Sequence, residues 1–265
     1  MAAKQPTRLH QALYERANQM RRPLCFKTIV YDSNQISPDV TSYSFFGADS
    51  IESGESVTRN SESTIVRWLF ANKPVRSLIL EEFVGCSNDY VYNFEVSRPI
   101  ITEPGKKPGD IDILFCNKYT PKKAIAIECK RVKVIVQQDG RQKVNRIQEI
   151  DGAITQANGL QSIGFHQSYL LFLVVVDARL RVADGNILSK YADQKETSAV
   201  YEVAMNASLH PDVGVAYVEI IQPTGKAINK MGQVGICVDK RAVLLEQPTH
   251  LSEKVQYYFK KSLVN

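Results

Sequence analysis

The sequence predicts an α/β protein in which helices flank a central mixed β-sheet. Three β-rich segments follow one another between residues 90 and 134, each bounded by turn-forming residues. A segment with helical periodicity comes next and leads into the apolar run from Tyr169 to Val176, which has the composition of a buried central strand. Strands and helices in this order favour a sheet covered by helices.

The overall composition is that of an ordinary globular protein. Of the 265 residues, 44% are apolar and 23% charged, which excludes disordered, collagen-like and coiled-coil classes. The longest apolar run is far shorter than the ~20 residues of a bilayer-spanning helix, so we expect no membrane partner. The five cysteines are scattered and lack a C-x-x-C pair, which is typical of a reducing, cytoplasmic location.

The first 60 residues are interpreted as an N-terminal helix and loop extension. Residues 7–21 place apolar side chains on one helical face, and residues 25–31 have the composition of a strand. Residues 32–60 are rich in Ser, Asp, Gly and Asn, which predicts mostly loop.

The core is predicted over residues 61–222 and begins with a helix over 62–72. Ser61 can cap this helix, and the apolar residues that follow recur at helical spacing. Residues 75–84 contain an apolar run that fits either a helix or a strand.

The three β-rich segments, residues 90–97, 109–115 and 123–134, predict an antiparallel meander. Residues 143–163 return to helical spacing and precede the central strand.

The remaining elements complete the sheet and close the chain. A helix is predicted near 193–208 and a strand over 213–221. Residues 223–265 are interpreted as a C-terminal strand, over 233–238, and a closing helix, over 252–263, packed on the core.

Side-chain alternation along the meander brings acidic and basic groups onto one face. Asp110 and Asp112 project from one face of the second strand, and Glu128 and Lys130 share a face of the third. If Asp112 pairs beside Glu128, the two carboxylates and the Cys129 carbonyl could hold a hard divalent cation such as Mg²⁺. Lys130 would then orient a nucleophile or stabilise a transition state at a phosphate, which is chemistry suited to phosphodiester hydrolysis.

The two motifs G-D-I-D-I-L-F and I-E-C-K, with fifteen residues between Asp112 and Glu128, resemble the PD-(D/E)XK nuclease superfamily. The resemblance covers about residues 61–177. It implies a restriction-endonuclease-like three-layer core, dependence on Mg²⁺ with Mn²⁺ as a substitute, and cleavage of nucleic acid. It also implies that Asp112, Glu128 and Lys130 are the motif's acid, acid and lysine.

The first acid of the motif has two candidates. The literal Pro-Asp dipeptide is missing, but Pro108-Gly109-Asp110 comes close, so Asp110 could take this role. We favour Asp112, because similar family members with a G-x-x-D pattern use the Asp three residues after the Gly.

Two further site residues follow from the resemblance alone. Many members carry a Glu on the helix before the meander, which implies Glu62 here, with Glu81 or Glu82 as rivals if residues 75–84 are helical. Some subfamilies place a Gln near the scissile phosphate on the helix after the E-x-K strand. Gln156 lies at the corresponding point, and Gln148 is its substitute.

Basic residues cluster around the two motifs and predict a nucleic-acid-binding surface. Each of the turn lysines among them fits an ordinary solvated position equally well. The formal net charge of +5 favours polyanionic partners only mildly. The predicted contacts to nucleic acid are Lys106, Lys107, Arg131, Lys133, Arg141 and Lys143.

Three functions fit this pattern of residues. The first is a Mg²⁺-dependent nuclease, with DNA the favoured substrate and a homodimer the expected form for double-strand cleavage. The second is a catalytically inactive nucleic-acid-binding or assembly module on the same fold. The third is a nucleotide-sugar transferase that uses the D-x-D of residues 110–112, which is disfavoured because the apolar run follows the acids instead of preceding them.

Overall fold

The computed structural model describes residues 25–32, 61–85, 89–97, 100, 109–136, 142–145, 147–177, 199–222 and 231–262. Within these ranges the chain forms an α/β fold with one mixed sheet of eight strands flanked by helices. The predicted fold class is confirmed at this level. The predicted helix over residues 7–21 and most of the loop over 32–60 lie outside the described residues.

The helices and strands have the following bounds. The strands are β1 (Lys27–Asp32), β2 (Tyr90–Val96), β3 (Ile111–Asn117), β4 (Ile125–Val136), β5 (Gln142–Asn145), β6 (Gln167–Asp177), β7 (Gly214–Gln222) and β8 (Met231–Lys240). The helices are α1 (Glu62–Ala71), α2 (Lys73–Val84), α3 (Ile150–Ile163) and α4 (Thr249–Ser262). Short 3₁₀ turns occupy Ile147–Glu149 and Val203–Met205.

The sheet has the strand order β1-β8-β7-β6-β4-β3-β2, and β5 pairs with β4 beside this path. β2, β3 and β4 form the predicted antiparallel meander. β4, β6 and β7 run parallel, whereas β8 and β1 are antiparallel additions. The apolar run in β6 therefore lies at the centre of the sheet, as its composition predicts.

Local signals explain the two helices that precede the meander. The Ser61 side chain accepts a hydrogen bond from the Thr64 N–H and caps α1. Asn72 ends α1 and caps α2, and Pro74 lies in the first turn of α2, where its missing N–H is tolerated. Gly85 ends α2 with a φ of +74°, a left-handed conformation that favours glycine. Residues 75–84 are thus helical.

The helix predicted over 143–163 starts later than the periodicity indicates. Gln142–Asn145 forms β5, which pairs antiparallel with the second half of β4, and α3 begins only at Ile150. β4 is twelve residues long and extends beyond its pairing with β3. The second half of β4 therefore pairs with residues 142–145, and this strand pairing overrides the local helical pattern.

The core is divided between the two faces of the sheet. On one face, α1 and α2 pack against side chains that include Ile127 and Leu171. On the other face, α3 packs against Leu170 and Phe172, and α4 packs near Ala126. This arrangement is compatible with three layers. Because side chains alternate along a strand, the even-numbered positions of the first half of β4 face α3 and α4.

The predicted N-terminal extension contributes to the sheet. β1 lies within it and pairs with β8, with Lys27 opposite Ile236. In the described part of the chain, no helix is both long and apolar enough to cross a bilayer.

Candidate metal and active site

The candidate site lies where β3 and β4 separate. Their pairing ends with Ile113 opposite Ile127, and one further step in that register would place Asp112 opposite Glu128. Instead of a β-ladder bond, the Cys129 N–H donates to Asp112 Oδ2 at 2.6 Å. The Asp112 carboxylate thus takes the place of a main-chain acceptor in the gap between the strands.

The electrostatic environment of Asp112 disfavours its charged form. Burial raises the pKa of Asp112 to about 7, and the negative charges of Glu62 and Glu95 add to this effect. The hydrogen bond from Cys129 and the charge of Lys130 oppose it. A cation placed beside Asp112 would remove this penalty, because it favours the ionised carboxylate.

Glu128 is the more strongly perturbed acid. It is 4% exposed, and burial followed by the charges of Asp112 and Glu62 raises the pKa of Glu128 to about 9. Its Oε2 atom is buried and has no hydrogen-bond partner among the described residues. Buried polar atoms are nearly always paired, so this oxygen is suited to contact a positively charged group.

Lys130 is held by two acids from the beginnings of two helices. Its Nζ lies 2.8 Å from Glu149 Oε2, at the start of α3, and 3.5 Å from Glu62 Oε1, in the first turn of α1. Burial alone would lower the pKa of Lys130, but the hydrogen bond to Glu149 and the charge of Glu62 outweigh it, so the pKa is raised. The ammonium is therefore charged and restrained at the site.

Glu149 is a site residue that the sequence analysis did not identify. The helical periodicity placed the helix start near residue 143, so Glu149 looked like an interior position. In the structure it ends the short 3₁₀ turn and directly precedes α3. An acid at the first turn of a helix is a recognisable start signal, and this was the clue available in the sequence.

Cys129 contributes its backbone to the site and its thiol to the core. The thiol is fully buried among the residues that pack under α1 and α2, and burial raises the pKa of Cys129 well above its ordinary value. The N–H and C=O of one strand residue point to the same side of the strand. The Cys129 carbonyl therefore faces the gap that contains Asp112, as a carbonyl ligand would require.

The two glutamine candidates occupy different surroundings. A Cβ placed on Gly109 would lie 3.9 Å from Gln156 Nε2, so the amide of Gln156 lies beside the backbone that leads into β3 and Asp112. Gln148 is exposed in the 3₁₀ turn before α3. Of the two glutamines, Gln156 is therefore the one that lies next to the site.

The rival acids on α2 lie elsewhere. Glu81 and Glu82 form ion pairs with Lys27, and Glu82 also pairs with Arg241. These contacts join α2 to β1 and to the residue after β8, at the opposite end of the sheet order from β3. Of the three glutamates proposed for the site, the structure brings only Glu62 to Lys130. Asp110 is exposed at the bend before β3.

The predicted nucleic-acid contacts have mixed outcomes. Lys133 is 5% exposed on β4, and the alternation from Cys129 places it on the face covered by α1 and α2. A buried ammonium cannot meet a phosphate at the surface, so the surface role predicted for Lys133 is wrong. Arg131 is half-buried and Lys143 is exposed on β5. The other three predicted contacts, Lys106, Lys107 and Arg141, lie outside the described residues.

The donor set of the site fits a hard divalent cation held by few protein ligands. Among the described residues, no group of three or more His, Cys, Asp or Glu side chains forms a metal cage. Mg²⁺, however, keeps several waters and commonly binds through one or two carboxylates. Asp112, Glu128 with its unpartnered Oε2, and the Cys129 carbonyl provide such a set.

Three comparisons with known proteins were made. Neither the family models, nor the curated proteins, nor the solved structures contain a match to this chain.

Proposed function

We propose that this chain is a divalent-metal-dependent nuclease that hydrolyses the phosphodiester bonds of nucleic acid on a restriction-endonuclease-like core. One observation carries the proposal. Asp112 and Glu128 meet in a buried gap with raised pKa values and an unpartnered carboxylate oxygen, beside the charged and restrained Lys130.

The residues divide the chemistry among them. Asp112, Glu128 and the Cys129 carbonyl would hold Mg²⁺ or Mn²⁺. When bound, such a cation neutralises phosphate charge and lowers the pKa of a coordinated water. Lys130 orients the attacking oxygen or stabilises the charge that develops on the phosphate in the transition state. Gln156 supports the phosphate from α3.

The proposal also includes the partners of the protein and its location. DNA is the favoured polymer, and the exposed Lys143 on β5 and the half-buried Arg131 on β4 are the described basic groups that would contact its phosphates. A homodimer would present two such sites to the two strands of a duplex. The cytoplasmic location inferred from cysteine usage belongs to this proposal.

Purified protein tests the proposal directly. We expect it to cleave plasmid or single-stranded DNA with Mg²⁺ or Mn²⁺ and not with EDTA. Glu128→Gln and Lys130→Met should each abolish cleavage while near-UV circular dichroism stays unchanged. As a matched control, Glu253→Gln replaces an exposed acid on α4 and should cleave like the wild type. Metal-dependent cutting that persists in both site variants would refute the assignment.

A catalytically inactive nucleic-acid-binding or assembly module is the second candidate. The exposed Lys143 on β5 favours it, because such a basic group can contact a phosphate without a metal. Such a module would bind DNA with an affinity that falls as salt rises. It would show no metal-dependent turnover, and Glu128→Gln would leave its DNA affinity unchanged.

A further inference from the structure

The contacts of Lys130 suggest a role for Glu149 that rests on the proposed metal site. The Lys130 ammonium could pair with Glu149 and Glu62 or with Glu128 and Asp112. It makes its 2.8 Å ion pair with Glu149 and a 3.5 Å contact with Glu62, whereas the buried Glu128 keeps an oxygen without a partner among the described residues.

The Lys130 side chain is long enough to reach Glu128 instead of Glu149. Glu128 and Lys130 lie on the same face of β4, two residues apart, which is about 7 Å along a strand. A lysine side chain is long and flexible, with a compact charge at its end. An ammonium at Glu128 and Asp112 would form a buried ion pair in the position that a divalent cation needs.

The position of Glu149 explains why the Lys130 ammonium does not pair with Glu128 and Asp112. Glu149 occupies the N-cap position of α3 without a side-chain capping hydrogen bond, and the helix dipole favours an acid there. The Lys130 side chain is 16% exposed and the Glu149 side chain 37% exposed, so water competes with this ion pair from the Glu149 side only. The strongest partner of the ammonium is thus fixed to a rigid element outside the gap between β3 and β4.

We infer that Glu149 is a positioning residue that holds the Lys130 ammonium at the start of α3 and thereby keeps Asp112 and Glu128 open for a divalent cation. Without Glu149, Lys130 turns toward Glu128 and competes with the cation. Glu62 alone, at 3.5 Å, is the weaker restraint.

A double-mutant cycle measured by Mn²⁺ binding tests this role without relying on cleavage. Isothermal titration calorimetry with MnCl₂ would compare the wild type, Glu149→Gln, Lys130→Met and the double variant. We expect Glu149→Gln to weaken Mn²⁺ binding about 10- to 100-fold, the range for loss of an outer partner of a metal site. In the Lys130→Met background the same substitution should change the affinity less than about twofold, because no ammonium remains to compete.

A charge-matched control separates positioning from simple loss of negative charge. Asp151→Asn removes an exposed acid from the first turn of the same helix and should alter Mn²⁺ affinity less than about threefold. Circular dichroism would verify that each variant is folded.

Each result of the Mn²⁺ titrations has a defined interpretation. Equal losses from Glu149→Gln in both backgrounds, or a wild-type affinity in Glu149→Gln, would overturn the positioning role and leave the proposed nuclease intact. Failure of the folded wild type to bind Mn²⁺ would overturn the proposed function together with this inference.

Discussion

Glu128→Gln should stabilise the metal-free protein increasingly as the pH rises, although it replaces a buried residue. The pKa of Glu128 is raised from 4.5 to about 9, chiefly by burial. Between these values the folded protein holds a proton that the unfolded chain releases, so the stability of the wild type falls with rising pH. Glutamine has no such ionisation and escapes this loss.

The magnitude follows from the size of the shift. One unit of pKa difference corresponds to about 1.4 kcal/mol, so keeping Glu128 protonated in the fold costs about 3 kcal/mol at neutral pH. The buried amide brings an additional N–H donor, and an unmet donor offsets about 1–3 kcal/mol of this gain. The stability advantage of Glu128→Gln should therefore be small near pH 6 and grow by about 1.4 kcal/mol for each pH unit toward pH 8.

Urea unfolding in EDTA at several pH values measures this advantage. The control Glu253→Gln, on the exposed face of α4, should differ from the wild type by a constant small amount across the same range. A difference between Glu128→Gln and the wild type that does not change with pH would show that Glu128 ionises normally in the fold. The electrostatic description of the gap would then be wrong.

Two further predictions concern packing outside the site. Tyr201→Phe removes the hydroxyl that donates to the buried Glu219 and should lower the free energy of unfolding by about 1–3 kcal/mol; an unchanged urea midpoint would contradict the buried hydrogen bond. Gly214→Ala would place a Cβ 2.7 Å from the Ala242 backbone nitrogen and should destabilise by about 1–3 kcal/mol or more. Gly152→Ala, on α3 with nothing within 4 Å of its added Cβ, is the matched control and should unfold at the wild-type urea concentration or above it.

Alternation and turn residues were sufficient to predict the meander and the shared face of its charged side chains. The second and third β-rich segments form β3 and β4, and Asp112 comes beside the backbone of Glu128 and Cys129 because the two strands pair in the expected register. These features depend on residues close in sequence, and the alternation of side chains along a strand is enough to predict them.

The missed features depend on strand pairing and helix packing, which local periodicity does not report. The helical pattern from residue 143 did not reveal that residues 142–145 pair with β4, so the true start of α3 and the role of Glu149 were hidden. Lys133 follows the same alternation as its neighbours, but only the packing of α1 and α2 shows that its side of β4 is buried. Charge and local periodicity carry no information about which face a distant helix will cover.

The most direct measurement is a crystal structure grown or soaked with Mn²⁺, with the anomalous signal collected near the manganese absorption edge. We expect one peak in the gap between β3 and β4, about 2.0–2.2 Å from carboxylate oxygens of both Asp112 and Glu128, with Lys130 still paired to Glu149. Manganese bound only elsewhere, or Lys130 Nζ bound to both carboxylates with no peak between them, would contradict a metal-dependent site at this position.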